Sequence, residues 1–273
     1  MIGRAKSVAP PRLAAWRDVL AGNGAFTRIA IYAFALALGA AIWEAAGSRI
    51  NPAFLSRFST TIARLSEFIS SGVLAGALGS SLLLFFTGLF CAIVFGVSVG
   101  LLLARVRLLR IALEPYIMVL YATPMVALIP FILSLLGFGF TAKALTVFLF
   151  AVFPILYSTI EGARSVKPEM LEVAQSFRSR EWPIWRDVLL PYTLPFAMTG
   201  IRLGIGRGLV GMVAAEFFLS ASGLGLLLFR SGQDFDVPGV YGVIIVITIV
   251  GVVLMGIGRA LENRFAAWRG LER

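Results

Sequence analysis

From residue 29 onward the chain alternates between long apolar runs and shorter polar interludes, and this coarse rhythm predicts its elements. A hydrocarbon layer of about 30 Å takes about 20 helical residues at about 1.5 Å each. Six runs qualify as spanning helices: 29–46, 80–104, 111–136, 141–160, 192–218 and 238–257. Trp43 and Glu44 lie near the far end of the first, where an aromatic belt and a partly hydrated carboxylate are tolerated. Residues 49–79 are more polar and contain Asn51-Pro52, predicting a loop and a short amphipathic helix on the outer surface. Pro115, Pro124 and Pro130 predict a kinked third span, which neighbouring helices can accommodate in a membrane. Gly137-Phe138-Gly139-Phe140 predicts a short outer turn, and Pro154 interrupts the fourth span. Ser220-Ala221-Ser222-Gly223-Leu224-Gly225 predicts a break, followed by an amphipathic stretch to Asp236 that includes Arg230, Gln233 and Asp234.

Composition agrees: 59% of the 273 residues are hydrophobic and 14% charged, against about a quarter charged in a soluble domain. The net charge of +10 is a topology signal. Lys and Arg number 17 in the N-terminal tail, the segment after the second run, the charged stretch after the fourth and the C-terminus. Only Arg49, Arg57, Arg64, Lys143 and Arg230 fall on the opposite side, which predicts both termini in the cytoplasm. Residues 1–28 form a basic cytoplasmic tail broken by Pro10-Pro11, 29–258 a transmembrane domain, and 259–273 a basic cytoplasmic end. The tail is too long, and the run after it too extended, for a signal peptide. No folded basic module exists to read nucleic acid. Cys91 is the sole cysteine and histidine is absent, which removes the commonest metal ligand and proton shuttle. No Gly-x-x-x-x-Gly-Lys-Ser/Thr phosphate loop occurs, so the chain does not bind ATP in that manner.

The longest charged island is Glu161 to Pro195. Pro168-Glu169-Met170-Leu171-Glu172 predicts the start of a helix, with proline in its first turn and carboxylates at its positive end. Leu171, Ala174 and Phe177 recur at three-residue spacing as one apolar face, Trp182 and Trp185 form a second patch, and Arg178, Arg180, Arg186 and Asp187 face elsewhere. A solvated loop or an interfacial helix would have the same pattern. The order of residues, however, resembles the cytoplasmic coupling motif of ABC-importer permeases: Glu-Ala-Ala, three residues, Gly, nine residues, an aliphatic residue, one more, and Leu-Pro. Glu172, Ala174, Val188, Leu190 and Pro191 match it, whereas Val173 and Arg178 depart, the latter standing where the motif has a turn-permitting glycine. Thr123-Pro124-Met125-Val126-Ala127-Leu128-Ile129-Pro130 and Ser222-Gly223-Leu224-Gly225 also resemble the family, and the likeness covers about residues 75–268.

The resemblance is to permeases of the nitrate, sulfonate, taurine and bicarbonate type. It implies an all-α membrane protein with six spans in a type I ABC-importer permease fold. It implies a coupling stretch at 164–190, where Glu172, Ala174, Phe177, Arg178, Trp182, Val188, Leu190 and Pro191 meet a separate ATPase dimer that carries ATP and Mg, this chain holding no cofactor itself. It further implies a second permease subunit, most simply a homodimer, a periplasmic or extracellular binding protein, and residence in the bacterial inner membrane. Glu172 either contacts the ATPase or caps its own helix.

The fifth run has further candidates. Gly200, Gly204, Gly208 and Gly211 leave one face nearly bare, for helix packing within the subunit, for the pathway or for a dimer seam. Arg202 sits where it can snorkel to the inner interface, and Arg207, deeper, faces either a watery cavity or an ion-pair partner. Glu216 completes this set, and two arginines in one span are a hint of an anionic solute. Two other classes compete. A secondary transporter should show paired broken helices in an internal repeat, and no second copy is visible. An intramembrane hydrolase needs a nucleophile, base and orienter, which scattered carboxylates without histidine do not supply.

Overall fold

The computed structural model describes residues 25–177, 181–218 and 222–265. Its elements are helices: α1 (Ala25–Arg49), α2 (Phe58–Ser70), α3 (Val73–Arg105), α4 (Arg107–Ala122), α5 (Ile129–Leu136), α6 (Phe140–Arg164), α7 (Pro168–Ser176), α8 (Leu190–Phe218), α9 (Leu224–Gln233) and α10 (Val237–Phe265). Among the described residues, five helical stretches are long and apolar enough to cross a membrane. A sixth span arises if α4 and the segment Met125–Leu136, which meet at 94°, count together.

Contacts divide the chain into residues 1–61 and 62–273. In the first unit α1 is apolar and exposed over most of its length, as at Tyr32, Phe34 and Leu36, and packs only towards its end, where Gly47 is buried. Glu44 is more than a hydrated carboxylate: it accepts the Ser59 backbone N–H and hydroxyl, both at 2.9 Å, at the start of α2. Trp43 Nε1 donates to the Ser56 carbonyl at 2.9 Å.

In the second unit α6 is the central post. Leu84, Phe85 and Leu89 of α3 and Ile205, Leu209 and Met212 of α8 close on its Val147, Ala151 and Ile155. Glycines make that approach possible. A Cβ at Gly88 would stand 2.6 Å from Val147 Cβ, one at Gly200 2.8 Å from Ser158 Cβ, and one at Gly211 2.8 Å from Phe150 Cβ. Substitution there must push the helices apart. Helix α3 starts at Val73, seven residues before the apolar run suggested, because Leu74, Ala77 and Leu78 pack with Phe68, Leu224 and Val243. Arg64 of α2 pairs with Asp236 at 2.8 Å and Glu67 at 2.5 Å and lies over the Phe68 ring. Its guanidinium is held still more firmly protonated by those two carboxylates.

Candidate functional site

The coupling stretch is built from the short helix α7, a single turn at Glu181–Pro183 and a π-helical segment, Ile184–Leu189, that runs straight into α8. The π register shows in the Leu190 N–H, which bonds the Trp185 carbonyl five residues back. Pro191, just beyond, has no N–H to continue that ladder. One face of this assembly is anchored: Val166, Ile184 and Leu189 are buried with Leu171, Ala174 and Trp185 against them. The other face is open. Phe177 is 81% exposed and Trp182 71%, with Met170, Val173 and Glu172 also exposed beside them in sequence.

The predicted apolar face therefore divides: Leu171 and Ala174 turn inward, and Phe177 outward. Three-residue spacing drifts by about 60° per step on a helix of 3.6 residues per turn, so Phe177 lies about 120° from Leu171. Val188 and Pro191 are half-buried and Leu190 exposed, and Arg186 and Asp187 are exposed and adjacent, at 3.8 Å. Arg178 and Arg180 lie outside the described residues.

The six candidates of the fifth span separate into four environments. Gly200 and Gly204 face α6 of the same chain, and Gly208 faces Phe85 of α3 with Ala151 of α6 beside it. Arg202 pairs with Glu262 at 2.6 Å, and Thr199 donates to the same carboxylate at 2.7 Å, fastening α8 to α10. Glu216, 1% exposed, is a clamp. It accepts the Ser81 hydroxyl at 2.7 Å and the Gly225 N–H at 2.9 Å, while Ser81 Oγ accepts the Leu224 N–H at 2.8 Å. Gly223 has φ +104°, and a Cβ there would overlap the Glu216 carboxylate. Lys143, read from sequence as an outer charge, is instead 5% exposed with its Nζ 3.4 Å from Ser222 Oγ, and supplies positive charge to this cluster. Sequence reasoning missed Ser81 and Lys143; the Ser80-Ser81 pair and a lone Lys beside apolar runs were the available signal.

Arg207 lines a cavity of about 340 Å³. It forms where the chain breaks between α4 and Met125–Leu136, and Tyr121, Thr123, Phe150, Phe153 and Pro154 are among its walls. Tyr121 stacks on Tyr157, the ring centroids 6.2 Å apart and the planes within 7°. The kinked third span is thus a broken one, and its irregular backbone lines a cavity, where such backbone is tolerated at membrane depth.

Residues 92–267 match the family described as binding-protein-dependent transport system inner membrane component. The chain belongs to this family. It is 34% identical over 195 residues to the taurine transport system permease protein TauC of Escherichia coli (strain K12), covering 71% of this chain and 70% of that one. It is 29% identical over 231 residues to the putative aliphatic sulfonates transport permease protein SsuC of Bacillus subtilis (strain 168), covering 84% of each. Among solved structures, an inward-facing MetNI methionine ABC transporter chain aligns with a TM-score of 0.62 at 18% identity, over 72% of this chain and 97% of that one. A chain of an amino acid ABC transporter aligns with a TM-score of 0.57 at 15% identity. The protein is thus a multi-pass permease subunit of an ABC importer, a transport component and not an enzyme, and ATP hydrolysis belongs to a separate subunit.

Proposed function

We propose that this permease, paired with a second copy of itself, forms the path by which a small organic anion enters a bacterial cell. A periplasmic or extracellular binding protein delivers the solute, and both termini and residues 164–190 face the cytoplasm. There α7 and the turn after it sit in a groove of the partner ATPase, which binds ATP and Mg; this chain holds no cofactor of its own. Glu172, Phe177 and Trp182 make the contact, while Ala174 and Val188 hold the element to the spans. The observation that carries this reading is the pair of exposed aromatics, Phe177 at 81% and Trp182 at 71%, on an element whose other face is anchored. Large apolar groups presented from a rigid support are what a partner surface uses. The anionic cargo rests on the aliphatic sulfonates permease among its relatives, and the taurine permease shares with it a sulfonate group on the solute.

The test is to tag the chain in its host, extract it in mild detergent and identify stoichiometric partners by mass spectrometry. An ATPase with a phosphate loop is expected, and Glu172→Ala should abolish uptake while the protein still inserts. A chain that purifies alone and moves solute under an ion gradient without ATP would be a secondary transporter, and the proposal would fall.

A further inference from the structure

We infer that the cavity at the break of the third span is an anion subsite of the permease itself, taking a small organic monoanion with a flat apolar body. The inference rests on the importer reading above and adds a recognition step inside the membrane. Two arginines lie in α8, and their surroundings differ. Arg202 has its counter-charge in Glu262 at 2.6 Å, whereas no carboxylate among the described residues lies within ion-pair distance of Arg207. An uncompensated guanidinium midway along a spanning helix is costly unless it faces water or a mobile anion. Arg207 is exposed and lines the cavity, so its missing partner can come from the cargo.

The walls set the rest of the ligand. Apart from Arg207, the polar side-chain groups of the lining are the Thr123 and Tyr121 hydroxyls, and Phe150, Phe153 and Pro154 supply flat apolar surface. Arg is suited to a sulfonate or carboxylate because its planar fork donates two parallel hydrogen bonds. The lining has no carboxylate to take an ammonium group. A zwitterion such as taurine would therefore bring a desolvated, unpaired charge, and a simple arene- or alkanesulfonate would not.

The experiment is a calorimetric titration of the purified permease, with any ATPase it carries, in non-ionic detergent. Para-toluenesulfonate is the probe, and taurine and the neutral para-toluenesulfonamide are the competitors. Saturable binding is expected, weakened by about tenfold or more in Arg207→Gln, as for loss of a charge-assisted hydrogen bond. Arg207→Lys should fall between the two, and neither competitor should displace the probe. Undiminished affinity in Arg207→Gln, absence of saturable binding, or equal competition by the sulfonamide overturns the subsite. The sulfonate-to-sulfonamide comparison uses only the unaltered protein, so it decides even where the variant fails to fold. Co-purification of the ATPase is read in the same sample: an ATPase present without Arg207-dependent binding rejects the subsite alone. Arg207-dependent binding without an ATPase rejects the importer reading and keeps the site.

Discussion

Glu216 shows what one ionisable side chain does when buried in a spanning helix. Its carboxylate takes the Ser81 hydroxyl from α3 and the Gly225 N–H from α9, and so locks the Ser-Gly-Leu-Gly turn onto two spans. Replacing the carboxylate by an amide weakens the hydrogen bonds that the Ser81 hydroxyl and the Gly225 N–H make to it, bonds to a charged group worth about 1.5–3 kcal/mol each. Glu216→Gln should therefore lower the thermal midpoint in detergent markedly. Ser81→Ala, which removes one hydroxyl from the same cluster, should cost less, about 1–3 kcal/mol. Gly223→Ala should resemble Glu216→Gln, because a methyl at φ +104° collides with that carboxylate. Equal midpoints for Glu216→Gln and the parent protein would show that the cluster carries no stability. Sequence placed Glu216 among possible pathway groups because one string cannot show that Ser81, 135 residues away, meets it.

At the scale of elements, the coupling stretch separates stability from partner binding. Phe177→Ala and Trp182→Ala remove exposed rings, so the isolated permease should melt as before, while ATPase affinity falls by about 2 kcal/mol or more, as for interface hot spots. Ile184→Ala should do the reverse first, destabilising the permease by about 2–5 kcal/mol through the cavity it leaves under α7. Melting curves with and without the ATPase, and a pull-down for affinity, read both. A loss of permease stability in the two aromatic variants would place them in the core and end their role as contacts. The helix start at Pro168 and the charged exposure of Arg186 and Asp187 were legible, since caps and charge obey local rules. The π register was not legible, since nothing in the string marks where the hydrogen-bond ladder slips, whereas the outward turn of Phe177 follows from the drift of three-residue spacing on a helix.

For the whole molecule, the spans were legible wherever hydrophobicity alone dictates them, as in α6 and α10, and misjudged wherever packing extends a helix through small residues. Leu74-Ala75-Gly76-Ala77-Leu78 reads as a weak interlude, yet it is helical because Leu74 and Leu78 meet Phe68 and Leu224. The break at Thr123 and Pro124 was foreshadowed by three prolines, but its 94° angle was not, since proline limits a helix without setting the direction of the next segment. The first helix differs from the others. No residue of its apolar window is buried, and the family match begins only at residue 92. The solved methionine transporter chain is matched over 97% of its length by 72% of this one, so the permease fold needs less than three quarters of this chain's length. Deleting residues 1–61 should therefore leave a protein that inserts, keeps its melting midpoint and still captures the ATPase. Orientation should also hold, because Arg105, Arg107, Arg110 and the charges of the coupling stretch remain to keep those segments on the cytoplasmic side. Cysteine labelling from each side of sealed vesicles, with a reporter placed at Lys167, reads the orientation directly. A truncated chain that inserts inverted, or that loses the ATPase while staying folded, would show that the first helix sets the topology or completes the assembly.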